Sequence, residues 1–431
     1  MARFVNAISI IVLSFLGVVS GQVEVAKDDN IEPFALLCRI YNVAKNPPIN
    51  YVDLHEPVQI VQEIDVLNRS LLEEEGLNEK EVAGNNSEAQ VKPTVTREAA
   101  LTQLSLIQIT QKAHTIWEEI KKIKVTETIE KAKTEFHKVI FGEDGNESNL
   151  CHATVNDMDN RSKACGPPGL TSKGESAGKN LVVDFFCLCA QRTENKEGVN
   201  HVCGFYVGRI DSHYGWGEQG PWGSSTMWAS IKGGCGKHMH QHHKSTAEAR
   251  HILEQFFMHL KTGGVYRKIQ CDTPQSSCKN AMVEGSGWKE GMLGTFITVN
   301  NTTDVACGGN EGGKKGGNVT PGGVCVYYGQ ESGWQNIPWV KQFQTALETV
   351  DAANNKTASI QRSLQKQHML LHRAEEIYET AKVIAEIQKP VVPTAFQNAS
   401  GNLTAFNTTR TRSYSHIPRQ YFALPWFLLI L

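Results

Sequence analysis

Apolar residues recur at helical spacing in two long stretches of the chain. The first, residues 94–141, contains no proline or glycine, and steps of three and four link Leu106, Ile109, Ala113, Ile116, Ile120 and Ile123. After a shift in phase, the same spacing resumes at Val125, Ile129, Ala132, Phe136 and Val139. Alternating steps of this kind are typical of a coiled-coil seam, so this stretch is predicted to be one long helix.

The second stretch, residues 337–389, has Asn336 as a candidate N-cap, Pro338 in the first turn and Pro390 as the stop. One apolar stripe is formed by Val340, Phe343, Leu347 and Val350. Another, interrupted by polar Gln367, is formed by Ile360, Leu364, Leu371, Ala374, Tyr378 and Ala381. The polar residues 354–356 are a weak point at which this helix is expected to break.

Two shorter helices are predicted at residues 34–44 and 53–75, the first ended by two prolines and the second with Pro57 in its first turn. Between the long helices, residues 142–333 are rich in glycine and carry short apolar runs that predict small strands: NLVVDFFCLCA, GTFITV and GVCVYYG. The expected fold is mainly α, an elongated antiparallel pair or bundle of long coiled-coil helices. Residues 142–333 form its small, disulfide-rich head of α+β or irregular structure.

The two ends of the chain carry signals for the cell surface. Residues 1–21 have the charge, the apolar run and the small residues of a cleaved signal peptide, which leaves residues 22–390 as the surface domain. After a polar linker at residues 391–409, residues 410–431 combine a polar spacer with a short apolar tail. This pattern predicts a glycosylphosphatidylinositol (GPI) anchor at Asn407, with Ser413 and Ser400 as alternatives, and removal of the tail.

The cysteine content is the one feature of the composition that adds to the predicted fold. The chain has 431 residues and a net charge of −2, which gives no indication of nucleic-acid binding. In a secreted chain, its eleven cysteines predict disulfides, and the odd number leaves one unpaired or intermolecular. Cys38 stands apart from the ten others: Cys151, Cys165, Cys187, Cys189, Cys203, Cys235, Cys271, Cys278, Cys307 and Cys325. Cys187 and Cys189 would face the same side of a strand and are expected to bridge to different partners.

Sequons for N-glycosylation are frequent, and a minority is expected to carry sugar. The candidates are Asn68, Asn85, Asn146, Asn160, Asn300, Asn301, Asn318, Asn355, Asn398, Asn402 and, overlapping the predicted anchor site, Asn407.

Three motifs could carry other chemistry, and each has a simpler interpretation. His238, His240, His242 and His243 could bind zinc or copper, although no carboxylate or second cysteine stands at a recognised ligand spacing, so an exposed basic loop is favoured. The run GGNEGGKK at residues 308–315 imitates a phosphate-binding loop but ends in lysine instead of serine or threonine. No metal, cofactor or enzymatic activity is predicted.

The third motif is aromatic. Tyr214, Trp216, Trp222 and Trp228 could form a binding patch for a carbohydrate, but packing in the head is favoured.

Two segments of this sequence resemble the variant surface glycoproteins of African trypanosomes: FALLCRIYNVAKNPPINYVDL at residues 34–54 and SHIPRQYFALPWFLLIL at residues 415–431. The layout of long helix, cysteine-rich head and long helix agrees with this resemblance. Cys325 is the last cysteine, so the chain is similar to members with a single large helical domain and without a cysteine-rich C-terminal domain.

The resemblance implies a coat glycoprotein in the outer leaflet of the plasma membrane, GPI-anchored and homodimeric. Such a protein shields the membrane and is exchanged for antigenically distinct copies, which evades host antibodies. The alternative is a GPI-anchored receptor on the same scaffold for a host serum protein or nutrient carrier. That receptor would have a pocket between helices or on the head, with the tryptophan segment as one lip.

Overall fold

The computed structural model describes residues 24–82, 97–193, 198–208, 215–238, 245–271, 278–286, 289–299, 304–315 and 318–388. The chain divides into two compact units, Met1–Ala381 and Lys382–Leu431. All contacts discussed below lie in the first unit. In the second, the structure describes residues 382–388, which are helical.

The helices and strands lie between the following residues. The helices are α1 Ile31–Lys45, α2 Glu56–Val82, α3 Arg97–Lys122, α4 Val125–Phe141, α5 Arg161–Cys165, α6 Leu181–Cys189, α7 Ser224–His238, α8 Thr246–Thr262 and α9 Pro338–Gln388. The strands are β1 Gly215–Gly217, β2 Gly220–Trp222, β3 Val265–Cys271, β4 Cys278–Ser286, β5 Met292–Val299, β6 Gly313–Lys315, β7 Asn318–Thr320 and β8 Gly322–Tyr327. The prediction of a mainly α protein with a disulfide-containing region is confirmed.

Helix α9 packs antiparallel to α3 and α4. The rings of Phe343 and Phe136 lie 5.6 Å apart, and further along α9 the Gln367 amide donates to the Ala113 carbonyl at 3.2 Å. Both phenylalanines are fully buried, which favours folding by about 2 kcal/mol for each side chain. We call α2, α3, α4 and residues 338–381 of α9 the helical layer.

The prediction of one unbroken helix over residues 94–141 is wrong. The helix ends at Lys122 and a new one begins at Val125, because Lys124 adopts a left-handed conformation with φ 51°. The break falls where the apolar spacing shifts phase, so each half can turn its own stripe inward. A non-glycine residue in this conformation costs about 1 kcal/mol, which the two buried stripes offset.

The opposite correction applies to α9, which runs through residues 354–356 without a break. Asn354 accepts a hydrogen bond from the Asn50 amide at 2.7 Å and donates one to the Pro48 carbonyl at 3.0 Å. Thr357 donates to the Asn50 carbonyl at 3.0 Å. The polar residues of α9 therefore bind the backbone of the segment between α1 and α2, and they do not weaken the helix.

The start of α9 also differs from the prediction. Asn336 is not its N-cap, since it ends a 3₁₀ turn, Glu331–Asn336, and Ile337 separates that turn from Pro338.

The head, residues 142–333, contains a four-stranded sheet in the order β4-β3-β5-β8. Strands β3 and β5 are parallel, and the other neighbours are antiparallel. The runs GTFITV and GVCVYYG belong to β5 and β8, and β8 is buried along its whole length. Strand β8 contacts α6, and β5 contacts α8.

The run NLVVDFFCLCA is a helix and not the predicted strand. Asn180 caps α6 by accepting a hydrogen bond from the Val183 amide at 2.9 Å, and each residue from Leu181 to Cys189 is buried. A helix that is apolar on all sides belongs in the interior of a domain, and its sequence then lacks the helical alternation of apolar and polar residues. Its aromatic and β-branched residues favour a strand by local preference. Burial of the segment on every side stabilises the helix instead.

Candidate functional site in the disulfide-tied head

Four disulfides join the described parts of the chain, and α6 carries two of them. They are Cys38–Cys235, Cys165–Cys187, Cys189–Cys203 and Cys307–Cys325. Cys187 and Cys189 bridge to different partners, but from a helix and not from a strand. The bonds connect α6 to α5 on one side and to residues 198–208 on the other.

Cys38, distant along the chain from the other cysteines, joins α1 to α7 over a sequence separation of 197 residues. Cys151 is unpaired and exposed. Cys271 and Cys278 are backbone partners at the paired ends of β3 and β4, and their side chains lie outside the described set.

A buried carboxylate holds α6 against the end of the sheet and the start of α9. Asp184 accepts hydrogen bonds from the Gly178 amide at 2.8 Å, the Tyr328 hydroxyl at 2.8 Å and the Trp339 indole at 2.7 Å. Burial raises the pKa of Asp184 to about 6, and the three hydrogen bonds oppose this rise only in part. The sequence signal for this residue is a single charge in the apolar run LVVDFFCLC.

A buried arginine closes the other end of α6. The Arg161 guanidinium donates to the carbonyls of Ala190 at 2.7 Å and Cys187 at 2.8 Å, at the C-terminal end of the helix dipole. Burial, and then the nearby positive charge of Arg192, lower the pKa of Arg161 to about 9. The side chain therefore remains charged at neutral pH, and nothing in the sequence pattern singled it out.

The tryptophan segment serves mainly as core. Trp216 and Trp228 are each 1% exposed, whereas Trp222 is 61% exposed at the end of the β1–β2 hairpin. Tyr214 lies outside the described residues. Trp216 also forms one wall of a cavity of about 340 Å³, together with the charged side chains of Asp159, Arg161, Arg192 and Glu218.

The histidine motif lies mostly outside the described residues. His238 ends α7, and His240, His242 and His243 lie outside the described residues; among the residues that are described, no cluster could hold a metal ion. In the run GGNEGGKK, Gly309 packs closely on Arg161, since a Cβ on this glycine would lie 2.2 Å from a nitrogen of Arg161. Gly309 has φ +81°, so this close approach and its conformation both require glycine.

The sequons differ in their surroundings. Asn160 and Asn355 are exposed, and Asn68 and Asn146 are half-buried. Asn160 also caps α5 through the Lys163 amide. Asn318 lies in β7, with its side chain outside the described set. The others fall outside the described residues: Asn85, Asn300, Asn301, Asn398, Asn402 and Asn407.

The predicted signal peptide, the linker and the anchor sites Asn407, Ser413 and Ser400 also lie outside the described residues. Within the described part of the chain, no helix has the length and apolar character needed to cross a membrane.

Comparisons with known proteins agree on one family. The family model for the trypanosomal VSG domain, where VSG denotes variant surface glycoprotein, matches residues 78–368. Variant surface glycoprotein YnAT 1.3 of Trypanosoma congolense is 26% identical over 282 residues. That alignment covers 63% of this chain and 59% of the relative, so the chain spans less than two thirds of that protein's length.

Proposed function

Because this chain belongs to the trypanosomal variant surface glycoprotein family, we propose that it is a coat glycoprotein that forms a dense protective layer over the parasite membrane. The observation that carries the proposal is the family match over residues 78–368. It includes α3 to α8, the whole head and α9 as far as residue 368. The function is to occupy area and present a surface, without turnover of a substrate.

The distribution of constraints supports an antigenically variable surface that evades host antibodies. Four disulfides, Asp184 and Arg161 fix the interior of the head. Exposed connections are not bound by these contacts and can change with little loss of stability. Antibodies raised against one copy would then fail on another that has the same interior.

The lipid attachment in this proposal rests on the sequence of residues 410–431. The coat protein would reach the cell surface by its signal peptide, exchange its apolar tail for a GPI lipid at Asn407, and remain in the outer leaflet. Ser413 and Ser400 are the alternative attachment residues.

A homodimer is supported by apolar side chains that the helical layer leaves exposed. Leu101 and Leu104 on α3 are 55% and 57% exposed, Val66 on α2 is 51% exposed and Met369 on α9 is 66% exposed. Apolar side chains left exposed on packed helices can contribute to an interaction surface. Two lipids per dimer would also hold the protein on the membrane more firmly than one.

Treatment of intact cells with a phosphatidylinositol-specific phospholipase C tests the proposal. We expect release of this protein as the main surface species, because a coat must cover most of the membrane. A known GPI-anchored protein on the same cells serves as the control for enzyme activity and for a cleavable lipid. If the control is released and this protein is not, the anchor is excluded.

Abundance separates the coat from the alternative, a GPI-anchored receptor for a host serum protein or nutrient carrier. The cavity bounded by Trp216 favours the receptor, since the tryptophan segment was expected to line its pocket. Release in trace amounts, together with saturable binding of a serum protein to intact cells, would support the receptor and contradict the coat.

A further inference from the structure

The cavity beside Trp216 has the features of a small-ligand site. Its volume of about 340 Å³ lies near the lower end of the usual range for ligand pockets, about 300–1,000 Å³. The β1–β2 hairpin supplies one wall through Trp216 and Gly217, and the start of α5 supplies another through Arg161 and Ser162. The ring of Trp216 lies 5.3 Å from the guanidinium carbon of Arg161.

Two side chains that line this cavity carry a buried N–H donor with no hydrogen-bond partner among the residues that the structure describes. The donors are Nε of Arg161 and Nε1 of Trp216, and their side chains are 5% and 1% exposed. A buried N–H without an acceptor is unfavourable, and it is rare in native proteins. Two such donors on side chains that line one cavity favour a bound group that supplies acceptor oxygens.

The charge at this end of the cavity favours an anionic acceptor. The described partners of Arg161 are carbonyl oxygens at the end of α6, and these do not neutralise its charge. Arg192, half-buried, adds a second guanidinium to the lining. A carboxylate beside Arg161 would supply an acceptor for its Nε and a negative charge next to its guanidinium.

Negative charges lie at the solvent-exposed part of the cavity lining. Asp159 and Glu218 line the same cavity and are exposed to solvent. They would repel an ion with several negative charges, such as phosphate, and would attract a cationic group on the part of a ligand that faces the solvent.

The nearby backbone leaves room for such a ligand. Gly308 lines the cavity, and a Cβ at this position would lie 2.6 Å from the Ser162 hydroxyl and fill part of the space. From these observations we propose that the cavity binds a small zwitterion of the free amino acid class. Its carboxylate lies against Arg161 and Trp216, and its ammonium group faces Asp159 and Glu218. The site is independent of the coat proposal and of the anchor.

Isothermal titration calorimetry of the purified full chain with three matched probes tests this assignment. L-alanine carries both charges, propionate lacks the ammonium group and ethylamine lacks the carboxylate. We expect saturable binding of L-alanine, weaker binding of propionate and no binding of ethylamine. Absence of saturable binding by L-alanine would overturn the proposal, and so would equal binding of ethylamine.

Trp216→Phe keeps an aromatic ring and removes the indole N–H donor. Because a charged acceptor then loses one hydrogen bond, we expect L-alanine to bind about tenfold more weakly. The matched control is Trp228→Phe, because Trp228 is 1% exposed and its buried Nε1 also has no partner within the described part of the chain. Trp228 packs on Tyr41 and Phe141, outside the cavity lining. Equal binding by wild type and Trp216→Phe would contradict the site.

Glu218→Gln tests the orientation of the ligand. We expect it to weaken L-alanine binding several-fold and to leave propionate binding equal or stronger, because only L-alanine carries the group that Glu218 attracts. An equal loss for both probes would overturn the zwitterion assignment. If Trp216→Phe fails to fold, as judged by circular dichroism, Ser162→Ala takes its place, with an expected several-fold loss of L-alanine affinity.

Discussion

The helical layer and the head are stabilised in different ways, although both belong to the same compact unit. In the helical layer, apolar stripes face one another, and the charged pairs lie near solvent: His114–Asp65, for example, has side chains 44% and 32% exposed. In the head, disulfides and buried polar groups fix particular atoms to one another, as Asp184 does with three donors.

The difference indicates where the sequence can change. A stripe requires an apolar residue of suitable size at a given spacing, so many sequences can satisfy it. A buried carboxylate with three donors requires that residue at that position, because removal of one partner leaves the others unsatisfied. We therefore expect the interior of the head to tolerate substitution less than the helical layer does.

The largest effect is expected from the disulfide that joins α1 to α7. Replacement of Cys38 and Cys235 together by serine frees a loop with a sequence separation of 197 residues and should lower the free energy of unfolding by about 5 kcal/mol. The same change at Cys189 and Cys203, separated by 14 residues, should lower it by about 3 kcal/mol. Denaturant unfolding without reducing agent measures both, and a larger effect of the short loop would contradict this ranking.

Loss of the buried carboxylate should come next. Asp184→Ala leaves the donors of Gly178, Tyr328 and Trp339 unsatisfied and is expected to cost about 4 kcal/mol. The matched change in the helical layer, Asp65→Ala, removes a half-exposed pair with His114 and should cost about 0–1 kcal/mol. Similar shifts of the unfolding midpoint for the two variants would remove the contrast between the regions.

Asp184 should also give the head a dependence on pH. Its pKa is about 6 in the folded protein and has the ordinary value of 3.8 when unfolded, so between these values the folded state holds the proton more tightly. This contribution to stability is fully present below pH 3.8 and is lost as the pH rises through about 6. It amounts to about 3 kcal/mol.

The difference in the free energy of unfolding between wild type and Asp184→Asn, measured from pH 4 to pH 7, isolates this contribution. We expect the difference to change with pH over this interval, because asparagine does not titrate. A constant difference would show that Asp184 does not change its protonation there.

The smallest effect is expected in the helical layer, and it is stabilising. Lys124→Gly removes the strain of a left-handed lysine, φ 51°, and should raise the free energy of unfolding by up to about 1 kcal/mol. Lys112→Gly, at an exposed position in the interior of α3, is the control and should lower it by about 1 kcal/mol. If Lys124→Gly is destabilising, the break between α3 and α4 depends on lysine contacts and not on the backbone.

The parts of the fold that were predicted from the sequence are those with a local signal. The stripes of α3, α4 and α9 repeat over many residues, and GTFITV and GVCVYYG have the composition of strands. The run LVVDFFCLC has the composition of a strand but forms a helix, and a helix buried on all sides has no polar face to reveal its period. The break at Lys124 was visible as a shift in phase, but the sequence did not show that the chain would leave the helix there.

The cavity shows a similar division. The aromatic segment around Trp216 is visible in the sequence, whereas Arg161 carries no local signal, because its partners lie at the end of α6. Its environment depends on carbonyl groups 26 and 29 residues away along the chain.

By itself, the sequence determined the mainly α class, the two long helical stretches, the cysteine-rich head and the resemblance to a family, since each depends on composition or on the spacing of neighbouring residues. The pairing of the cysteines, the helical form of α6 and the burial of Asp184, Arg161 and Trp216 became visible only in the folded chain. These properties depend on residues distant in the chain that fold to the same place, where removal from water changes both the partners and the charge of each group.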